Sequence, residues 1–424
     1  MSGQGAVEKA GINVTRRDTL AGGSAVGALL LPAMARAQGG AGAIQKYAAP
    51  RQIPNVDHKI VFRDDKRYSG WTYVIGFWNM RDGELLQSFF SVPTDYSSAD
   101  AVHQDKLPRH LGKVYTVRSK DHGRTWSKPV IDMMANVTRG WENARTLADL
   151  GPIDYLDSNV LVANNSVRGF GAPNSQTSIN VSRDRGKSWS PSLLVPLDGL
   201  PNHSGMNSYM VRPDGTAMIW LMESGKEGWN RHPLVFALPP RGTDFHFLSM
   251  ITEVHDPKGA ADGGDRTTTL RFGGHRWMYP RGWMLPSGRI LCTLRSQRDP
   301  RGIMWTEVYF SDDGGRTWDF LSRVNDFGAP ASLVVMPDGR IVAVYGYRLM
   351  PAGIRCKVSE DQGRTWGPEL IVRDDGGSWD LGYPNAWATD DGKVGVIYWF
   401  NSRYDKIQVD GGVRHIQRSI FSID

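Results

Sequence analysis

Short apolar runs recur along the chain, and most follow a turn in which glycine comes after aspartate or serine. Five segments share this pattern: "MRDGELL" (80–86), "RPDGTAMIW" (212–220), "LPSGRILCTL" (285–294), "MPDGRIVAVY" (336–345) and "TDDGKVGVIYW" (389–399). A sixth, "YLDSNVLVA" (155–163), resembles them. Asp-Gly between apolar runs favours a β-hairpin, because glycine tolerates the positive φ of the turn. Clear helical periodicity is missing beyond residue 37, so the pattern predicts an all-β protein.

A second motif interleaves with these hairpins. "SKDHGRTW" begins at Ser119, and similar octapeptides begin at Ser182, Ser311 and Ser359. The interval from 182 to 311 is about twice that from 119 to 182, as if one copy has been lost. In each copy aspartate can accept backbone N–H bonds, glycine suits the left-handed position and tryptophan can pack between sheets. We expect the copies to pin the structure, because a repeat spreads like residues around a ring.

Six hairpins, each followed by another strand pair, predict six four-stranded sheets. Sheets of this kind close into a ring as a six-bladed β-propeller, which also protects their strand edges. We expect an export signal over residues 1–37, a linker over 38–49 and the propeller over 50–424.

The N-terminal segment has the pattern of a twin-arginine export signal. "TRRDTL" (15–20) precedes a mild apolar stretch (21–31), and Ala35-Arg36-Ala37 gives a small-x-small cleavage signal. The apolar stretch is too short and too rich in glycine for a stable membrane span, although an amphipathic anchor is an alternative. We therefore expect export through the twin-arginine machinery, cleavage near Ala37 and a periplasmic or secreted protein without stable membrane insertion.

Charge and cysteine content narrow the function. The formal net charge of +6 comes from scattered basic residues, which argues against nucleic acid as a partner and leaves an anionic substrate open. Cys292 and Cys356 lie in apolar, strand-like runs and could be either bonded or free and buried. With no Cys-x-x-Cys motif and no His/Cys cluster at ligand spacing, we expect neither a metal nor another cofactor.

The octapeptide Ser-x-Asp-x-Gly-x-Thr-Trp resembles the Asp-box of the sialidase superfamily, and the resemblance covers about residues 50–424. It implies a sialidase-like glycoside hydrolase that removes a terminal sugar from a glycan. Sialidases use a tyrosine nucleophile polarised by a glutamate, an aspartate as acid/base and three arginines that clamp the sugar carboxylate. Guanidinium groups suit that clamp because they can bind a carboxylate through two parallel hydrogen bonds.

Several of these positions have matches in this chain. In "DLGYPNAWATDDG" the resemblance places Tyr383 as the nucleophile, with Asp380 beside it as an alternative nucleophile or base. "LPSGRILCTLRS" places Arg295 as the second arginine. "YGYRLMPAGIR" offers Arg348 as the better candidate for the third, with Arg355 as the alternative.

The acid/base aspartate of the family lies in the long loop after the first hairpin. Here "VPTDYSSADAVHQDKLPRH" (92–110) offers Asp95, Asp100 and Asp105, of which we favour Asp105. Long loops rich in titratable groups are frequent sites of function.

Two positions depart from the family. Trp71 and Tyr73 stand where the first arginine belongs, and Tyr279, followed by Arg281, stands where the glutamate belongs. Without that glutamate, Tyr383 has no obvious group to favour its ionisation from an ordinary pKa of about 10. The departures predict a divergent member that acts on another, acidic sugar, with Tyr279 and Arg281 as further substrate-binding residues.

Two alternatives remain open. A propeller lyase would act on a uronate through a base and an acid, for which His103, His110, Tyr279 and Arg281 are candidates. A non-catalytic carbohydrate-binding propeller would stack tryptophans on sugar faces. The candidates for stacking are Trp141, Trp229, Trp283 and Trp379.

Overall fold

The structure is a computed structural model and describes residues 48–131, 146–224, 232–252, 276–297 and 303–423. The predicted export signal and the tryptophans at 141 and 229 lie outside these ranges. Within them the chain is almost entirely β-structure, with one four-residue helix, α1 (Thr72–Ile75). Three short 3-10 turns complete the described elements: Arg109–Leu111, Leu147–Leu150 and Val409–Gly411. The described part contains no helix with the length and apolar character needed to cross a membrane.

The strands form six sheets, which we number as blades in chain order. Two N-terminal strands join the last two blades: β1 (Arg51–Gln52) and β2 (Asp57–Phe62). The strands of blades 1 to 3 are β3 (Arg67–Gly70), β4 (Gly76–Asn79), β5 (Leu85–Pro93), β6 (Lys113–Ser119) and β7 (Val130–Ile131); β8 (Leu161–Val167), β9 (Gln176–Ser182) and β10 (Leu193–Leu194); and β11 (Ser204–Val211), β12 (Ala217–Glu223), β13 (His232–Leu238) and β14 (His246–Met250). Those of blades 4 to 6 are β15 (Arg276–Met284), β16 (Ile290–Gln297), β17 (Met304–Ser311) and β18 (Asp319–Arg323); β19 (Ala331–Val335), β20 (Ile341–Tyr347), β21 (Ala352–Ser359) and β22 (Leu370–Gly376); and β23 (Gly382–Ala388), β24 (Val394–Phe400) and β25 (His415–Phe421).

Each blade is an antiparallel meander, and the predicted six-bladed propeller is confirmed. Blade 6 is completed from the other end of the chain, because β2 pairs antiparallel with β25 from Asp57–Ile420 to Phe62–Ile416. β1 adds a parallel edge to β22 of blade 5. The ring is therefore closed by strand pairing between its first and last segments, which leaves β25 without an open edge.

The two repeats gather at one end of the ring. In the four-stranded blades the Asp-Gly turns join the first and second strands, and the Asp-box turns join the third and fourth; in blade 2 the Asp-box joins the last two described strands, β9 and β10. In an antiparallel meander both connections lie at the same end, which we call the turn end. The backbone N–H of His122 in an Asp-box donates to the carbonyl of Gly83 in an Asp-Gly turn, at 3.0 Å. Loops from second to third strands, and between blades, lie at the opposite, loop end.

All four Asp-boxes have the same hydrogen bonds, as expected of structural pins. In each, the glycine N–H donates to the serine Oγ at 2.8 Å, and a later N–H donates to the aspartate Oδ1 at 2.9 Å. Their tryptophans pack between blades; the ring of Trp126, for example, lies 6.2 Å from that of Trp387. Gly123 has φ of +81°, and a Cβ there would lie 2.1 Å from Trp387. The motif therefore joins neighbouring blades.

The apolar core lies within and between the sheets, in clusters shared by neighbouring blades. Cys292 and Cys356 are both buried in it as free thiols. Burial raises the pKa of both thiols.

Candidate active site at the loop end

Two inner strands carry the same local irregularity near the loop end of the ring. Tyr279 in β15 and Tyr383 in β23 each precede a proline, and both have positive φ, 59° and 51°. Strand pairing shifts register at both points. A bulge of this kind re-aims a side chain, and positive φ in a bulky residue is held only by its surroundings. The two side chains are thereby directed at each other, with their hydroxyl oxygens 3.1 Å apart.

Tyr383 lies among cationic groups. Arg295 Nη1 donates to its hydroxyl oxygen at 2.9 Å. The guanidinium of Arg348 lies 5.3 Å from its ring centroid, and that of Arg295 lies 5.4 Å from the ring of Tyr279. Arg295 comes from the end of β16 and Arg348 from the loop after β20, so three blades meet at one phenol. The sequence-predicted Tyr383, Arg295 and Arg348 are therefore brought together, with Tyr279 in contact.

The surroundings of Tyr383 lower its pKa. Burial acts to raise the pKa, but the charges of Arg295 and Arg348 and the hydrogen bond with Tyr279 outweigh it. The pKa of Tyr279 is raised by burial and by the neighbouring Tyr383. The expectation that nothing favours ionisation of Tyr383 is therefore wrong, because the two arginines and a second phenol take that role. Groups whose pKa values are pushed apart are suited to act as a base or nucleophile and an acid.

A third tyrosine, Tyr73, packs against Tyr279 and Tyr383. It stands where the family pattern has the first arginine of the carboxylate clamp. Tyr73 of α1 has its ring centroid 6.3 Å from that of Tyr383 and 6.5 Å from that of Tyr279. The guanidinium of Arg281 stacks 3.6 Å from the Tyr73 ring centroid. Arg281 also donates to the Tyr73 carbonyl at 2.5 Å and to Asn385 Oδ1 at 2.6 Å. Arg281 therefore fastens β15 to α1 and β23 beneath the tyrosines, a role in positioning that its motif did not reveal.

The two candidates for the third clamp arginine differ in their contacts. The guanidinium of Arg348 lies 5.4 Å from the ring of Trp379 and close to Tyr383. Arg355 donates to Glu369 Oε2 at 2.5 Å and stacks 3.3 Å from the ring of Tyr347. Arg348 is thus the member of the pair that the structure brings to Tyr383.

Asp380 is buried behind the tyrosines. Its Oδ2 accepts a hydrogen bond from Tyr68 at 2.6 Å and lies 3.4 Å from Arg414 Nε. Arg414 is itself fully buried and also contacts Asp410 and the carbonyl of Gly412. These contacts fix the segment that leads into Tyr383. Tyr68 and Arg414 were missed by sequence reasoning, since neither lies in a repeated motif.

The loop over residues 94–112 lies at the loop end, as Tyr383 does. Asp95 accepts from the N–H of Ser97 at 3.0 Å, and Asp100 pairs with Lys106 at 2.6 Å. Asp105 is exposed, and its backbone N–H donates to His103 Nδ1 at 3.3 Å.

An aromatic series connects this loop to the tyrosines. The guanidinium of Arg109 lies 5.0 Å from the ring of Trp71. Ring centroids are separated by 5.1 Å from Trp71 to Trp399 and by 5.7 Å from Trp399 to Tyr383. The loop that carries His103, Asp105 and His110 is therefore anchored to the aromatic wall of the site.

Comparison with known proteins agrees with this architecture. Residues 262–396 match the family model described as "BNR repeat-like domain". This segment is similar to BNR repeats, and the chain folds as a six-bladed β-propeller. Among curated proteins, none matches its sequence significantly.

Solved structures show the fold of the propeller. A protein of unknown function from Dyadobacter fermentans is similar with a TM-score of 0.63 and 20% identity, over 88% of this chain and 100% of that one. NanB sialidase from Streptococcus pneumoniae is similar with a TM-score of 0.52 and 10% identity, over 86% of this chain and 70% of that one. The leech intramolecular trans-sialidase is similar with a TM-score of 0.53 and 10% identity, over 87% of this chain and 70% of that one.

The charge of the propeller's site favours an anion. Arg295 is buried and Arg281 is half-buried, and within the described residues their contacts are neutral phenol, amide and carbonyl groups rather than carboxylates. A buried cation without an acidic partner is costly, so an incoming carboxylate or an ionised Tyr383 is favoured there. No group of three described His, Cys, Asp or Glu side chains is arranged to hold a metal ion.

Proposed function

We propose that the propeller is a sialidase-like glycoside hydrolase that removes a terminal acidic sugar from a glycan. The observation that carries this proposal is the Tyr383 hydroxyl, which Arg295 and Tyr279 hold at 2.9 and 3.1 Å. Arg295 and Arg348 supply the cationic surroundings that a sugar carboxylate needs. Tyr279 takes the place of the family's glutamate as the polar partner of the nucleophile.

The first chemical step forms a glycosyl–tyrosine bond. Tyr383 attacks the anomeric carbon as a phenolate, because Arg295, Arg348 and Tyr279 favour its ionisation. The bond from the anomeric carbon to the leaving oxygen breaks, and that oxygen keeps the electron pair. Asp105, which we assign as the acid, donates its proton to that oxygen.

The second step releases the sugar. Water attacks the anomeric carbon while the Asp105 carboxylate accepts a proton from that water. The bond to Tyr383 breaks, and its electron pair returns to the phenolate. Two displacements at the same carbon retain the configuration. Asp380, held by Tyr68 and Arg414, acts as a positioning residue in this scheme.

A substrate panel tests the proposal. Wild type and Tyr383→Phe are incubated with aryl glycosides and natural oligosaccharides of sialic acids, other ulosonates, uronic acids and neutral sugars. We expect release of an acidic sugar by wild type and a loss of at least ~100-fold in Tyr383→Phe, because the nucleophile is removed. Tyr155→Phe is the matched control, since its hydroxyl is buried and has no hydrogen-bond partner among the described residues. Equal rates in wild type and Tyr383→Phe would refute the role of Tyr383.

A uronate lyase is the second candidate, and the Tyr383–Tyr279 pair favours it. An ionised Tyr383 could remove the proton next to the uronate carboxylate while Tyr279 donates one to the leaving oxygen. Arg295 and Arg348 would neutralise that carboxylate. A lyase yields an unsaturated sugar that absorbs in the ultraviolet, whereas a hydrolase yields a saturated one. Binding without any turnover would instead identify a carbohydrate-binding propeller.

We also propose that the protein is exported, already folded, by the twin-arginine route to the periplasm or beyond. The support is "TRRDTL" followed by the cleavage signal that ends at Ala37. In a bacterial host, the exported protein should begin at Gln38. Replacing Arg16 and Arg17 together by lysine should hold the uncleaved chain in the cytoplasm. An unchanged distribution in the double variant would exclude this route.

A further inference from the structure

A cavity opens at the rim of the propeller, between blades 5 and 6. Its volume is about 640 Å³. Lys59 and Ile60 of β2, Arg373 of β22 and Tyr404 of the loop over residues 401–414 are among its lining residues. The residues around Tyr383 do not line it. We call it the rim cavity.

One loop separates the rim cavity from Tyr383. On its inner side, Asn401 Nδ2 donates to the Asp380 carbonyl at 2.7 Å, and Arg414 reaches the Asp380 carboxylate. On its outer side, Tyr404 and Asp405 line the rim cavity. This loop joins the second and third strands of blade 6, so it lies at the loop end. The rim cavity therefore lies beside the proposed active site, at the same end of the ring.

The lining carries an excess of positive charge. Lys59, Arg63 and Arg373 contribute three cations, while Asp405 is its one acidic residue. Arg63 holds Asp405 at 2.6 Å, and Arg373 holds Asp375 at 2.7 Å. Within the described residues Lys59 is exposed and makes no ion pair, so its ammonium group is available to an anion. An acidic ligand is therefore preferred to a neutral one.

Two exposed side chains add apolar surface to the lining. Tyr404 is 72% exposed, and Ile60 is 55% exposed. An exposed aromatic ring beside polar donors is suited to pack on the apolar face of a sugar, with hydrogen bonds at its edge. The cavity also falls within the roughly 300–1,000 Å³ that is usual for small-ligand sites.

We propose that the rim cavity is a second glycan subsite that binds an acidic sugar unit of the same chain whose terminal unit lies at Tyr383. Tyr404 stacks on the sugar ring, and Lys59 binds its carboxylate. The glycan crosses the loop over residues 401–414 between the two positions. This subsite deepens the proposed function by making an acidic oligosaccharide the substrate class.

The test measures binding in the Tyr383→Phe background, so that no sugar is cleaved. The probes are tetramers of sialic acid and of galacturonic acid, the neutral maltotetraose, and the corresponding monosaccharides. Tyr404→Ala and Lys59→Ala are added singly. Phe320→Ala and Lys187→Ala are the matched controls, since both residues are exposed and lie near the turn end. Unfolding midpoints verify that each variant folds.

We expect an acidic tetramer to bind and Tyr404→Ala to weaken it roughly tenfold, which corresponds to about 1.4 kcal/mol. Lys59→Ala should weaken it several-fold and reduce its salt dependence, because one charge contact is lost. The affinity for the monosaccharides should be the same in Tyr404→Ala and Lys59→Ala as in the Tyr383→Phe background. The two control variants should bind the acidic tetramer as tightly as that background does.

Three results would overturn the subsite: no binding of either acidic tetramer, equal affinity for maltotetraose, or unchanged affinity in both Tyr404→Ala and Lys59→Ala. The outcome is distinguishable from failure of the hydrolase proposal. Tetramer binding that depends on Tyr404, together with no turnover by wild type, would support the subsite and refute the hydrolase.

Discussion

Tyr279 and Tyr383 occupy equivalent bulges in blades 4 and 6, yet their surroundings shift their pKa values in opposite directions. Arg295 donates directly to Tyr383, and with Arg348 it outweighs the cost of burying the ionised phenol. The pKa of Tyr279 is instead raised, because burial and the neighbouring Tyr383 both disfavour its ionised form. In the proposed mechanism, the hydrogen bond between the two phenols replaces a carboxylate–phenol pair, with Tyr279 as the donor once Tyr383 has ionised.

Tyr279→Phe should raise the pKa of Tyr383, because the phenolate loses a hydrogen-bond donor. A hydrogen bond to a charged group contributes about 1.5–3 kcal/mol, which corresponds to about one to two pKa units. In the proposed mechanism, activity requires the Tyr383 phenolate and rises with pH through the pKa of Tyr383. The rising limb of the pH–rate profile should therefore move to higher pH in the variant. Tyr155→Phe should leave it in place, and an unmoved limb in Tyr279→Phe would show that Tyr279 does not assist ionisation.

Asp380→Asn should destabilise the fold, because Arg414 is fully buried and loses part of its counter-charge. Breaking a buried ion pair costs about 3 kcal/mol. Asp326→Asn is the control, since its pair with Arg323 is exposed and should contribute under about 1 kcal/mol. Urea unfolding measures both. Equal midpoints for the two variants would show that the buried pair of Asp380 with Arg414 does not stabilise the fold.

The site residues that could be predicted from the sequence are those that lie in a recognisable motif. Tyr383, Arg295 and Arg348 lie in segments that resemble motifs of the sialidases. The pairing of Tyr279 with Tyr383 was not predicted, although "MYPRGW" and "GYPNAW" carry a signal for it, because they place Tyr-Pro at the same point of two blades. The contact of Tyr68 with Asp380 spans 312 positions and has no local signal, so it needed the structure.

At the scale of the element, the strand positions were predicted mainly from the residues that form the turns. Asp-Gly and Asp-box turns act within a few residues, so their hairpins and positions could be predicted from sequence. The helix α1 was not predicted. It begins after Trp71, which has φ of 60°, and it interrupts the inner edge of blade 1 between β3 and β4. Packing of Tyr73 against Tyr279 and Tyr383 accompanies this break, and such contacts leave no periodic signal.

Asp313→Ala should remove an Asp-box pin and cost about 2 kcal/mol, since its carboxylate accepts from the N–H and hydroxyl of Thr317. Those bonds lower the pKa of Asp313. Its contribution is therefore complete above the unfolded pKa of about 4 and decreases as pH falls towards the folded pKa.

The free-energy difference between wild type and Asp313→Ala should consequently shrink in acid, as measured by urea unfolding at a series of pH values. Asp319→Ala serves as a nearby exposed control. Glycosidase activity should stay at the wild-type level in Asp313→Ala, because the turn end is remote from Tyr383. A difference that grows in acid would refute this account of the pin.

For the whole molecule, closure of the ring depends on β2, which pairs with β25. A chain that begins at Gln38 keeps β1 and β2 and should unfold cooperatively with the wild-type midpoint. A chain that begins at Arg63 lacks both strands, exposes the edge of β25 and should be unfolded or aggregated. Circular dichroism during heating compares the two. A cooperative, wild-type transition in the shorter chain would show that closure does not require β2.

Trapping the proposed bond between Tyr383 and the sugar tests the mechanism most directly. A fluorinated glycosyl fluoride of the acidic sugar that the panel identifies should react with wild type and leave a slowly hydrolysed adduct. Intact-protein mass spectrometry should show a gain of one sugar, and peptide mapping should place it on Tyr383. An adduct on Asp105 or Asp380, or cleavage of the natural substrate with no adduct at all, would contradict the account.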